Sequence, residues 1–289
     1  MKKAIALLLI AVMLLCVAPV AFAADPPVYL LGDVDDSGRI EPGDARLALR
    51  ASVGLEPYKT GSAAFTAADV NRDGKIGSDD ARTILRAAVG LERLPTGTEM
   101  DYLCNGRYYL RGTMTDSYGQ TCPLEMAVTP DSVYMLSDFE GTAMGILIKG
   151  KTTCMLYPDK KACLVLSDTI MKAMGMSASD LIDTGSLDYS MYDLNKADEV
   201  FTEEVNGTAC RAYVFNNDNG SNRFYLNGGR LVRFGVYDAE GRLDTVNDID
   251  LITDQVPADK TDVPSDYKKY RGLVGLFAFM RLLEDVIPE

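Results

Sequence analysis

The chain contains no histidine and no tryptophan among its 289 residues. Without histidine, Ser-His-Asp and Cys-His nucleophile systems and most catalytic zinc sites are excluded. Without tryptophan, the sequence lacks the best flat platform for stacking on sugar rings. Glycosidases that use a pair of carboxylates need only Asp and Glu, so that class of enzyme stays open.

Cysteine is also scarce, with one of the six residues in the N-terminal apolar run and five beyond it. An odd number leaves at least one thiol without a partner within the chain. Cys154 and Cys163 flank Pro158-Asp159 symmetrically, so they would face each other if the residues between them pair around that turn. A disulfide between them is then geometrically feasible. The alternative is that both are small apolar strand residues kept as thiols.

Basic residues are fewer than acidic ones: the chain has 29 Lys and Arg and 42 Asp and Glu, which give a net charge of −13. An acidic surface repels nucleic acid and anionic membrane and favours the gathering of divalent cations. We therefore expect no nucleic-acid partner.

The first residues are typical of an export signal. Lys2 and Lys3 precede an apolar run over 4–17, and Ala21-Phe22-Ala23 has the small-x-small pattern of a cleavage site. A run of about 14 apolar residues is too short to span a bilayer. We predict a signal peptide over 1–23, a secreted mature protein from Ala24, and no membrane span.

An internal repeat follows, in which residues 33–56 align with residues 69–92 without a gap. Each copy opens with a loop that has oxygen-bearing side chains at positions 1, 3, 5 and 12, a glycine at position 6 and a backbone carbonyl ligand at position 7. The candidate ligands are Asp33, Asp35, Ser37, Arg39 and Asp44 in the first loop and Asp69, Asn71, Asp73, Lys75 and Asp80 in the second.

The pattern matches the EF-hand calcium formula, except that Asp replaces the final Glu. Hard oxygen ligands suit Ca²⁺, and no soft or imidazole ligand is present to favour zinc or copper. We predict two calcium ions. A single helix is predicted after each loop, without an entering helix. Its apolar face comprises Ala45, Ala48, Leu49 and Val53 in the first copy and Ala81, Ile84, Leu85 and Val89 in the second.

Residues 32–94 resemble a type I-like dockerin domain, the module that binds cohesin domains in cellulosomes and related extracellular assemblies. The resemblance implies the ligands named above, a cohesin partner on a scaffold protein, and a location outside the cell or at its surface through that scaffold. In the family, loop positions 10 and 11 help to choose the partner. Pro42-Gly43 at these positions offers no side-chain hydrogen bonds, so we expect docking through the second copy. The candidate contacts are Ser78, Asp79, Arg86 and Arg50, although both arginines also suit ordinary solvated helix faces.

From about residue 102 the sequence changes to strands and tight turns. Eleven strands are predicted, over 108–115, 121–129, 132–136, 143–148, 152–157, 162–166, 199–205, 209–215, 223–226, 231–237 and 243–252. A helical insert is predicted over 167–187 and a final helix over 265–286. The predicted fold class is thus α+β, with a small all-α calcium-binding domain over 24–95, a linker over 96–101 and an antiparallel β-rich domain over 102–289.

A twisted meander with helices over one face forms either a closed sandwich or an incomplete barrel with a helical lid. The element order, and the segments 230–241, 246–251 and 256–257, are similar to outer-membrane lipoprotein carriers over residues 102–260. This resemblance implies a lipid or other apolar ligand between the sheet and its helices. Candidate lining residues are Met144, Ile146, Met171, Met174 and Met176, and the alternative is that they are ordinary core.

Three functions remain open at this stage. The first is a non-catalytic secreted component whose β-rich domain binds a ligand. The second is a polysaccharide-degrading enzyme part, either a glycoside hydrolase or an accessory carbohydrate-binding part, and the third is a part that only docks. Candidate acids for hydrolysis are Asp138, Glu140, Asp248 and Asp250, but no spacing selects among them and each also suits a solvated turn.

Overall fold

The computed structural model describes residues 30–139, 142–173, 175, 177 and 187–284. The predicted signal peptide, much of the predicted helical insert and the end of the predicted final helix lie outside the described residues. The fold class is α+β as predicted, because a helical N-terminal unit precedes a large sheet that is mostly antiparallel and not closed.

The N-terminal unit contains α1 (Pro42–Ser52), α2 (Ala63–Ala68) and α3 (Ser78–Ala88), and α4 (Met100–Cys104) follows. The helices α1 and α3 follow the two loops as predicted. The expectation of no entering helix is wrong for the second copy, since α2 ends directly before its loop. Ser62 caps α2 by accepting a hydrogen bond from Phe65 N at 3.2 Å. A six-residue, alanine-rich helix is too short to show an apolar period in the sequence.

Within the described residues the sheet has twelve strands, which are β1 (Tyr108–Asp116), β2 (Thr121–Thr129), β3 (Ser132–Phe139), β4 (Thr142–Lys149), β5 (Thr152–Tyr157), β6 (Ala162–Ser167), β7 (Glu199–Val205), β8 (Thr208–Asn217), β9 (Gly220–Asn227), β10 (Arg230–Asp238), β11 (Leu243–Thr253) and β12 (Lys268–Arg271). Their order is β12-β6-β5-β4-β3-β2-β1-β11-β10-β9-β8-β7. Two meanders, β1 to β6 and β7 to β11, are therefore joined by the antiparallel pairing of β1 with β11. All eleven predicted strands are confirmed, within a few residues at their ends.

The twelfth strand corrects the predicted final helix. Residues 268–271 pair in parallel with β6, so that Lys268 lies opposite Ala162. Gly272, with a φ of +67°, allows the chain to turn from this strand into α6 (Gly272–Glu284). The predicted insert begins as expected with α5 (Asp168–Ala173), where Ile170 N donates to Ser167 Oγ at 3.4 Å. None of the described helices is long and apolar enough to cross a membrane.

The predicted register around Cys154 and Cys163 is wrong. Cys154 pairs with Val165, and Leu156 pairs with Cys163. A 3₁₀ turn over Pro158–Lys160, followed by Lys161 at a φ of 45°, makes the connection two residues longer than the predicted turn. The two cysteines therefore lie at diagonal positions, where Cβ atoms are typically about 7 Å apart, which is too far for a disulfide. Both are buried free thiols in the structure.

One face of the sheet, here called the inner face, carries the helices. Its largest cluster includes Tyr108 and Leu110 of β1, Phe224 of β9 and, from outside the sheet, Leu30 and Leu103. A second inner-face cluster lies where α5 and α6 cover β5 and β6. Elements outside the sheet therefore cover the inner face around β1 and β9 and again at β5 and β6, while Met135 of β3 and Ile146 of β4 between them are half-buried.

The predicted linker lies against this sheet. Glu99 N donates to Gly229 O at 2.8 Å, and Leu231 N donates to a carboxylate oxygen of Glu99 at 2.8 Å. Thr96, Thr98 and Met100 are buried. These contacts hold the start of the sheet unit and the end of the N-terminal unit together.

Candidate calcium loops and docking face

The first loop (33–44, loop 1) is organised by two buried aspartates. Asp33 accepts hydrogen bonds from Ser37 N at 2.9 Å and Gly38 N at 2.8 Å. Asp44 accepts from Val34 N at 2.8 Å and from Glu41 N at 2.7 Å. Asp44 is thus both the last loop residue and a carboxylate in the first turn of α1, where negative charge stabilises a helix.

Three carboxylates of loop 1 converge. Ligand oxygens of Asp33, Asp35 and Asp44 all lie within 4.8 Å of one another. Burial, helped by the nearby charges of Asp44 and Asp35, raises the pKa of Asp33 to about 6, and burial also raises the pKa of Asp44. Holding like charges this close in a partly dry site is unfavourable unless a cation neutralises them.

The second loop (69–80, loop 2) repeats this arrangement. Asp69 accepts from Asp73 N at 3.1 Å and from Gly74 N at 2.9 Å. Asp80 accepts from Asn71 N at 3.2 Å and from Gly77 N at 2.7 Å, which places it at the start of α3 as Asp44 is placed at the start of α1. Burial raises the pKa of Asp80.

The backbone of both loops follows the same path. Gly38 and Gly74 have φ angles of 89° and 86°, in the left-handed region that a Cβ disfavours. Asp36 and Arg72, two residues earlier, have φ angles of 59° and 60°. The oxygen-rich donor set and this conformation fit the requirements of a twelve-residue calcium loop.

The apolar faces predicted for the two helices divide into a buried and an exposed part. Ala45 and Ala48 pack against Ala81 and Ile84 in the core of the N-terminal unit. The remaining four residues lie in solvent, with exposures of 48% for Leu49, 65% for Val53, 45% for Leu85 and 56% for Val89. Alanines and Ile84 thus form the buried helix contact, and the repeated leucines and valines remain exposed outside it.

The residues predicted to choose the partner lie in the first turn of α3 and in the last turns of α1 and α3. Ser78 and Asp79 form the first turn of α3, and Asp79 accepts from Asn71 Nδ2 at 2.8 Å. Arg86 pairs with Glu92 at 3.0 Å, and Arg50 makes the matching pair with Glu56 at 2.8 Å. These exposed pairs orient the arginines but contribute little to stability.

A polar network on the outer face of the sheet was not predicted from the sequence. Glu125 accepts hydrogen bonds from the hydroxyl groups of Tyr109 and Tyr134, and from Lys260 Nζ at 2.9 Å. Burial raises the pKa of Tyr109 to about 12, and these donors lower the pKa of Glu125 despite its burial. The network ties the turn at Ala258–Lys260 to the sheet.

Beside this network is a cleft of about 530 Å³ that contains Asp138 and Asp250. Two of the candidate acids for hydrolysis are thus brought to one cleft, together with Arg111. Asp248 does not line this cleft, and its carboxylate accepts hydrogen bonds from Arg233 at 2.7 and 2.9 Å. Glu140 lies outside the described residues.

The methionines predicted to line an apolar cavity are partly described. Met144 and Met171 pack in one inner-face cluster with Phe279 of α6, and Met171 is fully buried. Ile146 lies on the same face at half-buried depth. Met174 and Met176 lie outside the described residues.

Comparison with solved structures gives low scores. An uncharacterized conserved protein from Thermus thermophilus is 9% identical over 60% of this chain and 95% of its own, with a TM-score of 0.36. MucB of Pseudomonas aeruginosa, in its complex with MucA, is 11% identical over 59% of this chain and 62% of its own, with a TM-score of 0.33. Likenesses at these TM-scores support no conclusion about this chain.

Comparison with curated proteins found no match. A match with a protein family covers the two loops and their helices, since residues 31–87 fit the model of the dockerin type I domain. The duplicated loops, their buried aspartates and the two parallel sets of ion pairs lie within or beside this range. Residues 31–87 of this chain are therefore a type I dockerin domain.

Proposed function

We propose that the dockerin domain binds two calcium ions, one in each loop. The side chains of Asp33, Asp35, Ser37 and Asp44 would hold the first ion and those of Asp69, Asn71, Asp73 and Asp80 the second, with the carbonyls of Arg39 and Lys75. Calcium would supply the positive charge that the converging carboxylates require. The support is the shared geometry of the loops, in which backbone amides orient the first and last aspartates.

A dockerin domain binds calcium and implies a cohesin partner. The function that we propose for this chain is calcium-dependent docking to a cohesin domain of a scaffold protein, within a cellulosome-like assembly outside the cell. The observation that carries it is the set of exposed apolar residues Leu49, Val53, Leu85 and Val89, in the C-terminal halves and at the ends of the two helices that follow the calcium loops. Apolar residues grouped on a surface mark interaction sites.

Surface plasmon resonance of the whole chain over immobilised type I cohesin domains tests this function. We expect binding to at least one cohesin in calcium and loss of that binding in excess chelator, because the loops shape the docking face. Binding that persists unchanged in chelator would contradict the proposal.

The proposal also assigns a role to each of the other segments of the chain. Residues 1–23 would direct export, residues 24–95 would form the docking domain with its flanking segments, and residues 96–101 would connect it to a binding domain over 102–289. We propose that this β-rich domain is a non-catalytic binding part. Its half-buried inner-face residues, such as Met135, Met144 and Ile146, support a lipid or other apolar ligand.

Native mass spectrometry of the gently purified whole chain tests the apolar ligand. We expect an added mass of an acyl species that disappears after extraction with organic solvent. A chain that carries no such mass, and gains none when incubated with fatty acids, would contradict this part of the proposal.

A polysaccharide-degrading role is the second candidate, and it is favoured by the cleft that contains Asp138 and Asp250. A hydrolysis panel of plant polysaccharides distinguishes the two candidates. Hydrolytic activity that falls in Asp138→Asn, but not in Asp248→Asn outside the cleft, would establish that the chain is a polysaccharide-degrading enzyme.

A further inference from the structure

The two calcium loops differ in their surroundings, because loop 1 lies against the sheet unit. Arg39 donates from Nη2 to the carbonyl oxygens of Ala197 at 2.7 Å and Asp198 at 2.9 Å. Ile40 N lies 3.3 Å from its acceptor, Asn195 Oδ1. These three hydrogen bonds join the loop to the segment that enters β7.

A charged contact joins the same loop to β8. Arg211 of β8 donates from Nη2 to Asp36 at 2.7 Å, and their side chains are 27% and 31% exposed, so the pair is partly shielded from solvent. Gly38 packs beside β7, where a Cβ on this glycine would lie 2.9 Å from Val200 Cγ1. Loop 1 is thus held by hydrogen bonds to the segment before β7, by packing against Val200 and by the ion pair between Arg211 and Asp36.

The corresponding residues of loop 2 make no such contacts among the described residues. The positions that match Asp36, Gly38 and Arg39 are Arg72, Gly74 and Lys75. A Cβ on Gly74 would meet nothing within 4 Å, and the side-chain hydrogen bonds described for this loop stay within it. The two loops therefore have the same internal geometry, but loop 1 contacts the sheet unit through these positions and loop 2 does not.

In loop 1 the interface residues alternate with the calcium-ligand residues. Carboxylate oxygens of Asp33 and Asp35 converge at the ion position proposed above, while Asp36, Gly38 and Arg39 contact the sheet unit. Arg39 serves both purposes, since its carbonyl is a proposed ligand and its guanidinium reaches the sheet. The backbone of residues 33–39 therefore determines both the arrangement of the calcium ligands and the contacts with the sheet unit.

We propose that the sheet unit is an intramolecular partner of loop 1, so that calcium binding in loop 1 and docking of the two units against each other are thermodynamically linked. This inference rests on the proposed calcium sites. Linkage is reciprocal, so contacts with the sheet raise the calcium affinity of loop 1, and calcium in loop 1 strengthens those contacts. Loop 2 binds its ion independently of the sheet.

The two units are consequently held in one relative orientation when calcium is bound. The four residues of the exposed docking face, Leu49, Val53, Leu85 and Val89, take no part in the loop 1 contacts described above. A docked chain then presents its sheet unit in a fixed direction from the scaffold rather than on a free tether.

Calcium titration of the full chain followed by ¹⁵N nuclear magnetic resonance tests this linkage loop by loop. The amides of Gly38 and Gly74 each donate to the first aspartate of their own loop, so each reports one site. In Arg211→Met we expect the calcium midpoint of Gly38 to rise by about 5-fold or more, the lower range of typical allosteric couplings, while that of Gly74 stays unchanged.

Arg242→Met is the matched control, because Arg242 is an exposed arginine in a surface turn whose loss changes the net charge equally. Arg39→Met tests the interface from the dockerin side and should reproduce the shift at Gly38. If Arg211→Met and Arg39→Met leave the Gly38 midpoint unchanged, or shift both glycines equally, the linkage is overturned. If neither glycine responds to calcium in the wild-type chain, the calcium sites themselves are wrong.

Discussion

Removing calcium from the intact protein is expected to unfold α1 and α3 while the sheet remains folded. Half of the buried residues described in the core of this domain are alanines, such as Ala45, Ala48 and Ala81, which bury little apolar area. At free calcium about 1,000-fold above its dissociation constant, each site contributes about 4 kcal/mol. Two sites therefore approach the whole stability of a small domain, about 5–15 kcal/mol.

Hydrogen exchange measured by mass spectrometry follows this loss directly. In excess chelator, peptides from 42–52 and 78–88 should exchange rapidly, whereas peptides from β1 and β2 should keep their protection, since their core lies within the sheet unit. Restored calcium should return the protection, and an equal concentration of magnesium should not, because Mg²⁺ demands a smaller octahedral site. Helices that stay protected in chelator would show that metal binding does not stabilise this domain.

Placing charge on the exposed apolar face of α3 is expected to abolish docking. Leu85→Asp with Val89→Asp should weaken cohesin binding by about 30-fold or more, since central apolar contacts are commonly worth about 2 kcal/mol or more. Neither side chain belongs to the buried core, so the domain should keep its fold and its calcium. Surface plasmon resonance measures the affinity, and circular dichroism checks the fold.

The duplicated sequence supplies the matched control. Leu49→Asp with Val53→Asp makes the same change on α1, and we expect a smaller loss of affinity there. Ser78 and Asp79 offer hydrogen bonds at the start of α3, whereas Pro42 and Gly43 at the start of α1 offer none from their side chains. A larger loss from the α1 variant would show that the first copy is the docking surface.

The strands were predictable because their signals are local. Turn residues such as those at Asn206-Gly207 and Glu240-Gly241 separate short apolar segments, and each pair of segments forms a hairpin. The last strand, Lys268–Arg271, has no such signal, since its four residues are mostly charged and it pairs with a strand about a hundred residues earlier. Only the folded sheet creates the edge that it occupies.

The calcium loops were predictable for a similar reason, because ligand spacing within twelve residues is a local property. The buried side of each helix was not predictable, because Leu49 and Leu85 look more suited to a core than Ala48 or Ala81. The helix contact is formed by alanines together with Ile84, whereas Leu49 and Leu85 remain outside it. The contact of Arg211 with Asp36 joins residues far apart in the chain and leaves no pattern in the sequence.

Counting the calcium ions bound to the intact chain by native mass spectrometry tests the central claim most directly. The wild-type chain should carry two ions, and Asp80→Ala should carry one, because Asp80 closes only loop 2. A wild-type chain that binds fewer than two ions at saturating calcium would contradict the account of a duplicated calcium-binding docking domain.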